Sequence, residues 1–151
     1  YVRAKAALSS LRQFELGWSK AQALGEALDM TVAIAVRILG TWAVGVTRVV
    51  HLGEEIDDNS GAHVFDIVMA TLDMHMLSGE ERFSVAWDGS DDGDVIVALD
   101  SFSRPAGMLA TLGWPVGRLY QSMFGTAAVA RIAAIVKGTE PDSPAVAIYD
   151  V

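Results

Sequence analysis

The stretch from Met30 to Phe102 limits the fold most, because it reads as a succession of short strands. Its first segment alternates β-branched residues with smaller or polar ones, which is typical of a half-buried strand. Segments of similar character follow, separated by turns rich in Gly and Asp. Consecutive strands with short links pair antiparallel, since a parallel neighbour needs a long crossover. The sequence therefore predicts an antiparallel sheet of five or more strands, over residues 30–38, 42–51, 63–73, 82–87 and 95–102.

Helices are predicted on both sides of this region. Residues 3–17 are rich in good helix formers and predict a short amphipathic helix, whereas residues 22–29 indicate a weaker helix or a loop. Pro115 suits the first turn of a long helix, and Gly138 ends that helix after Lys137. The long helix carries two neighbouring apolar stripes. One contains Val116, Leu119, Tyr120, Met123, Ala127 and Ala130, and the other contains Phe124, Ala128, Ile132 and Ile135.

These elements predict an α+β fold in which a curved antiparallel sheet grips the long C-terminal helix around a hydrophobic cavity. A chain of 151 residues, of which 52% are hydrophobic, is long enough for one such domain. We expect residues 1–138 to form this single domain. Residues 139–151 then form a linker and a C-terminal tail, which could add a strand or stay loose.

Composition argues against several classes of function. The net charge of −8 and the pI near 4.7 disfavour nucleic acid and anionic membranes, since both attract a basic surface. The chain has no cysteine and its three histidines lack ligand spacing, so we expect neither a metal nor a cofactor. No leader peptide or spanning helix is evident, which favours a soluble, cytoplasmic protein. The sequence leaves homodimerisation open.

Ionisable side chains on the inner side of the sheet are the candidate catalytic residues. Glu81 shares a strand face with Phe83 and Val85, so it is expected to point inward. Arg48 shares a face with Trp42 and other bulky apolar residues, so it is also expected inside. A charged group in an apolar interior is costly unless paired, and such groups acquire shifted pKa values and acid–base roles.

Asp66 and His75 complete the set of candidates. Both faces of the strand over residues 63–73 are apolar, so the sequence leaves open whether Asp66 points inward. His75 lies in the loop that follows this strand. The alternative is purely structural: Arg48 and Glu81 form an ion pair that closes the sheet, and His75 bonds to a backbone carbonyl.

The loop from Thr71 to Phe83, which reads TLDMHMLSGEERF, resembles the hallmark of a known family. Together with FSRP at Phe102 to Pro105, it is similar to bacterial and plant proteins catalogued as domain of unknown function 1990. The resemblance covers roughly residues 25–136. More distantly, such proteins resemble helix-grip domains related to the birch-pollen allergen and lipid-transfer fold, which implies a ligand-binding cavity.

Methionines mark where this chain departs from that family. Met69-Ala70 replaces Tyr-Gly, and Met74 and Met76 flank His75 where the family has Gly and Pro. Methionine suits a pliable apolar lining. Aromatic and hydroxyl side chains near the predicted space between sheet and helix join them as candidate ligand-binding residues. The set is Trp42, Met69, Met74, Met76, Ser101, Ser103, Trp114 and Tyr120.

Two functions of different class fit this set. The first is a cofactor-independent cyclase or isomerase that acts by acid–base chemistry on a hydrophobic natural-product intermediate, such as a polyketide. Glu81 or Asp66 would exchange the proton, while Arg48 and His75 orient charge. The second is a non-catalytic carrier or sensor of a small apolar ligand. A third hypothesis makes the chain an interaction module that uses its C-terminal tail.

Overall fold

The helices and strands are seen in a computed structural model, which describes residues 1–25, 28–58, 60–73, 75–90 and 92–139. They confirm the α+β class, with six strands and a long C-terminal helix. Residues 140–151, and with them the predicted tail, lie outside the described part. The elements are α1 (Val2–Ser9), a short 3-10 helix (Arg12–Phe14), β1 (Ser19–Leu24), β2 (Thr31–Ile38), β3 (Thr41–Ile56), β4 (His63–Thr71), β5 (Leu77–Trp87), β6 (Val95–Pro105), α2 (Met108–Leu112) and α3 (Trp114–Lys137).

Every strand pairs antiparallel with its neighbour in the chain, so the sheet order is β1-β2-β3-β4-β5-β6. This confirms the predicted antiparallel sheet. The prediction of a weak helix or loop over residues 22–29 is wrong at its beginning, because residues 22–24 belong to β1. β1 has no β-branched residue, and its pairing with β2, from Ser19 opposite Val36 to Leu24 opposite Thr31, supplies its backbone hydrogen bonds.

The core lies between the inner face of the sheet and one face of α3. Phe14 sits at its centre, with its ring centroid 5.4 Å from that of Phe124 and 6.0 Å from that of Phe83. Four strands contribute alternate side chains, as a period of two requires. These buried inner-face residues are Val32, Ile34, Val49, Phe65, Ile67, Met69, Phe83 and Val85.

α3 presents the second of its two apolar stripes to the core. Phe124, Ala128 and Ile132 are buried, and the small side chain of Ala128 lets the helix approach the sheet. Much of the first stripe faces away, and Leu119 is 59% exposed. By length and composition alone α3 could also cross a membrane, but here it packs along the sheet.

The face of β3 that points into the core is opposite to the face that its bulky apolar residues predict. Thr47 and Val49 are buried, whereas Trp42 is 50% exposed and Arg48 is exposed. The predictions that Trp42 and Arg48 point inward are therefore wrong. A bulge between Val49 and His51 then shifts the register with β4.

Candidate functional site

A cavity of about 170 Å³ lies between the inner face of the sheet and the first half of α3. Apolar side chains form most of its wall, including Ile34, Met69 and Phe124. A small residue of β3, Gly45, also borders it. Eight residues of the wall are polar, and they are Thr47, Thr71, His75, Glu80, Glu81, Ser103, Tyr120 and Gln121. An apolar hollow with a few polar groups is the usual form of a small-molecule site.

Glu81 is turned toward this cavity by β5, as strand alternation predicts. It shares the inner face with buried Phe83 and lies opposite Met69 of β4 and Ser101 of β6. Burial raises the pKa of Glu81 from its ordinary value of 4.5 to about 7, because the apolar surroundings remove much of the water that would stabilise the charged carboxylate. Within the described residues, its carboxyl has no hydrogen-bond donor or cation as a partner. The group therefore changes its charge near neutral pH.

His75 reaches the cavity wall from the loop between β4 and β5. The N–H and the carbonyl oxygen of Leu77 each lie 3.0 Å from its Nδ1. Nδ1 accepts from the N–H in one tautomer and donates to the carbonyl in the other. Burial lowers the pKa of His75, and the hydrogen bond to the Leu77 carbonyl opposes this only in part. The imidazole is therefore neutral at physiological pH.

Gly45 makes room for that imidazole. A Cβ at this position would lie 2.1 Å from Nε2 and 2.2 Å from Cδ2 of His75, so the ring packs directly on the backbone of β3. The sequence analysis missed this role. The available signal was a glycine inside a strand, which indicates close approach of another group.

Thr71 fixes the loop that carries His75. Its Oγ1 accepts a hydrogen bond from the N–H of Gly79 at 2.9 Å and donates one to the Gly79 carbonyl oxygen at 3.2 Å. These bonds extend the β4–β5 pairing by one position beyond Ala70 and Glu80. The sequence shows both residues in the motif but does not reveal that they bond to each other.

Two of the candidate catalytic residues lie away from the cavity. Arg48 is on the outer face of the sheet opposite Ala70, so the predicted ion pair with Glu81 is wrong. Asp66 also lies on the outer face, because its neighbours in β4 on both sides point into the core. There it accepts a hydrogen bond from Ser84 Oγ. Of the four candidates, the structure brings only Glu81 and His75 to the cavity.

Four of the predicted ligand-binding residues border the cavity: Met69, Met76, Ser103 and Tyr120. Trp42 and Ser101 are exposed and lie outside this wall. Trp114 also lies outside it, with the guanidinium carbon of Arg118 5.6 Å from its ring centroid. Met74 is outside the described residues.

Gln121, on α3, is a wall residue that the sequence analysis missed. Its Nε2 donates a hydrogen bond to Ser103 Oγ at 2.7 Å, while its buried Oε1 has no partner in the described structure. The available signal was a polar residue next to Tyr120 in a largely apolar helix. An unpaired buried acceptor is costly, and a ligand with a hydroxyl or N–H group would relieve that cost.

The cavity thus combines a carboxyl that titrates near neutrality, a neutral imidazole and an unpaired amide oxygen. Among the described residues, no group of three or more His, Cys, Asp or Glu side chains could hold a metal ion. Chemically, the carboxyl can release or take up a proton near neutral pH, and the amide oxygen can accept a hydrogen bond.

Comparison with known proteins agrees with the resemblance of the loop motif. Residues 1–131 match the family described as Domain of unknown function (DUF1990). A UPF0548 protein of Dictyostelium discoideum is 34% identical over 135 residues, and the match covers 82% of this chain and 60% of the relative. A UPF0548 protein of Arabidopsis thaliana is 32% identical over 125 residues, with the same coverage of 82% and 60%.

No solved structure matches the chain. The chain spans about 60% of the length of the curated relatives that it matches. The match over residues 1–131 includes both motifs, from Thr71 to Phe83 and from Phe102 to Pro105. The chain therefore belongs to the DUF1990 family.

Proposed function

We propose that the protein is a cofactor-independent acid–base enzyme, an isomerase or cyclase, that acts on a small apolar molecule bound in the cavity. The observation that carries this proposal is the carboxyl of Glu81, which lies at an apolar cavity, has no partner among the described residues and has a pKa raised to about 7. A general base or acid works best when its pKa lies near the working pH. A buried carboxylate in a structural role is paired, and Glu81 has no partner among the residues that the structure describes.

The chemistry requires only one proton carrier. The Glu81 carboxylate removes a proton from a carbon next to a carbonyl, and the electron pair moves onto the carbonyl oxygen to give an enolate. In a β,γ-unsaturated carbonyl compound this enolate extends over the double bond, so the protonated Glu81 returns the proton to the γ-carbon, which leaves the conjugated isomer and the original carboxylate. Attack of the enolate on a second carbonyl would instead close a ring, with the proton delivered to the new alkoxide.

The volume of the cavity limits the substrate. An engineered apolar cavity of roughly 150 Å³ holds benzene, and this cavity measures about 170 Å³. It holds one small ring or the end of a chain completely, so a bicyclic compound or a polyketide-like intermediate would extend past Met76, which is half exposed at the wall. Gln121 Oε1 is placed to accept a hydrogen bond from a hydroxyl group of such a substrate.

A non-catalytic carrier or sensor is the second candidate, and the apolar wall favours it. Met69 and Met76 supply adaptable surface, and binding an apolar ligand needs no acid or base. The two functions differ in what Glu81 does. A carrier keeps its ligand affinity when this carboxyl is replaced by an amide, whereas an enzyme loses turnover.

Proton removal by nitrobenzisoxazole tests the proposal, because this small bicyclic probe needs only a base. The carboxylate takes the ring C–H proton, the N–O bond breaks, and a yellow cyanophenolate forms. We expect catalysis that rises with pH around the pKa of Glu81 and falls by roughly 100-fold or more in Glu81→Gln. Glu55→Gln, an exposed carboxylate on β3, is the matched control and should keep the wild-type rate.

Saturable binding of the probe without catalysis by the wild type would favour the carrier. Wild-type turnover in a well-folded Glu81→Gln protein would refute the role of Glu81 as the base.

A further inference from the structure

An exposed apolar surface covers α2 and the first half of α3. Leu109 is 80% exposed, Met108 78% and Leu112 75%, although each is a large aliphatic side chain. The surface continues along the helix face that points away from the core. We call it the α2 patch, and it consists of Met108, Leu109, Leu112, Val116, Leu119 and Met123. Exposed large apolar side chains concentrated in one stretch of chain indicate a site of interaction.

The stretch of chain that carries the α2 patch differs in charge from the rest of the sequence. The protein has a net charge of −8, yet no Asp or Glu occurs between Asp100 and Glu140. Arg104 and Arg118 flank α2 on its two sides along the chain, and both are exposed. The overall acidity therefore does not describe this stretch of the chain.

An aromatic side chain lies at the border of the patch. Trp114 follows α2 directly, and its ring lies 5.6 Å from the guanidinium carbon of Arg118. Tryptophan and arginine beside exposed aliphatic residues are the composition of segments that rest in the headgroup region of a bilayer. Basic residues add attraction to anionic lipids.

We propose that the α2 patch docks on an anionic lipid bilayer, with α2 inserted among the headgroups and Arg104 and Arg118 paired with lipid phosphates. A second copy of the chain fits less well, because a two-fold contact through this patch brings like charges together. A bilayer accepts the aliphatic side chains and neutralises both arginines.

The position of the cavity suggests that docking brings it close to substrate dissolved in the membrane, an inference that rests on the proposed function. Met76 borders the cavity, and its carbonyl oxygen accepts a hydrogen bond from the N–H of Ala106, two residues before α2. Gly117, in the first turn of α3, borders the cavity as well. An apolar substrate dissolved in the membrane therefore meets the cavity beside the docked surface without crossing water.

Co-sedimentation with vesicles tests the docking itself. We expect the wild type to bind vesicles of phosphatidylcholine and phosphatidylglycerol, to bind pure phosphatidylcholine more weakly, and to be released as salt rises. The double variant Leu109→Gln with Leu112→Gln should bind the anionic vesicles with an affinity lower by about tenfold or more. Ile96→Gln is the matched control, since Ile96 is 62% exposed at the opposite end of β6.

Two results would overturn the docking proposal, and a third would reassign the patch. Absence of wild-type binding to anionic vesicles overturns the proposal, as does equal binding by the double variant. Analytical ultracentrifugation adds the remaining case: a wild-type dimer that the double variant abolishes, without vesicle binding, makes the patch an interface between copies. Glu81→Gln should still bind vesicles, so failure of the proposed enzyme activity and failure of docking are distinguishable.

Discussion

The imidazole of His75 occupies the space that a side chain at Gly45 would need, since a Cβ there would lie 2.1 Å from Nε2. Gly45→Ala must therefore displace the ring or bend β3, and we expect it to lower the free energy of unfolding by about 1–3 kcal/mol. Removing the imidazole relieves the clash, so the same change should cost far less in a His75→Ala background. Urea unfolding of the four proteins of this double-mutant cycle measures the coupling.

Gly53→Ala, on the same strand, is the control for that cycle. Its Cβ would meet only the ring end of His51, at 3.3 Å. A flexible side chain can yield by that amount, so the cost should stay below about 1 kcal/mol. Equal costs of Gly45→Ala with and without His75 would contradict the packing of the ring on β3.

Glu81 should make the stability of the protein depend on pH. Its pKa is raised from 4.5 to about 7 in the folded state, so the folded protein holds this proton more tightly than the unfolded chain does. The stability that the group contributes is complete below pH 4.5 and is lost as the pH rises through about 7. The shift corresponds to about 3 kcal/mol.

Glu81→Gln cannot ionise and should lack this loss. Urea unfolding of both proteins at several pH values between about 4 and 8 gives the difference directly, because other titrating groups cancel. Parallel curves for the two proteins would show that the carboxyl titrates normally.

Thr71 should be required for the loop that carries His75. Thr71→Val keeps the shape of the side chain and removes both hydrogen bonds to Gly79, so we expect a loss of about 1–3 kcal/mol and faster hydrogen exchange of the Gly79 amide. Thr71→Ser retains the hydroxyl and should keep most of the protection. If the valine variant protects this amide as well as the wild type does, the hydroxyl does not hold the loop.

Trp42 and Phe83 should respond very differently to truncation. Phe83 is fully buried, and Phe83→Ala should cost about 3–5 kcal/mol. Trp42 is 50% exposed on the outer face, so Trp42→Ala should cost no more than about 2 kcal/mol. Thermal unfolding of both variants checks this order. A larger loss of stability in Trp42→Ala than in Phe83→Ala would show that Trp42 belongs to the core.

The inner face of β5 was predictable because the large apolar side chains of this strand all lie on one face. Phe83 and Val85 are both large and apolar, and a period of two then carries Glu81 to the same side. The cavity-facing carboxyl therefore follows from three residues of one strand. Its lack of a partner does not, since that depends on where Arg48 points.

The inner face of β3 could not be predicted by the same reasoning. A strand that borders a cavity carries small side chains inward, and here Gly45 and Thr47 leave room for His75. The bulky Trp42 and Val44 remain on the side that counting apolar residues favours. Counting apolar residues cannot identify an inner face whose side chains are small. The wrong choice of face for β3 also placed Arg48 on the wrong side of the sheet.

Helix α3 returns to the first part of the chain, where Arg131 Nη2 donates a hydrogen bond to Glu15 Oε2 at 3.2 Å across 116 residues. The strands need not wait for a distant part of the chain, because each strand pairs with the one made just before it. During synthesis the hairpins can form one after another, yet the part of their apolar inner face that α3 covers stays exposed until α3 leaves the ribosome. The nascent chain is thus most prone to aggregation in the interval between completion of β6 and completion of α3, and a chaperone that binds apolar strands would protect it there.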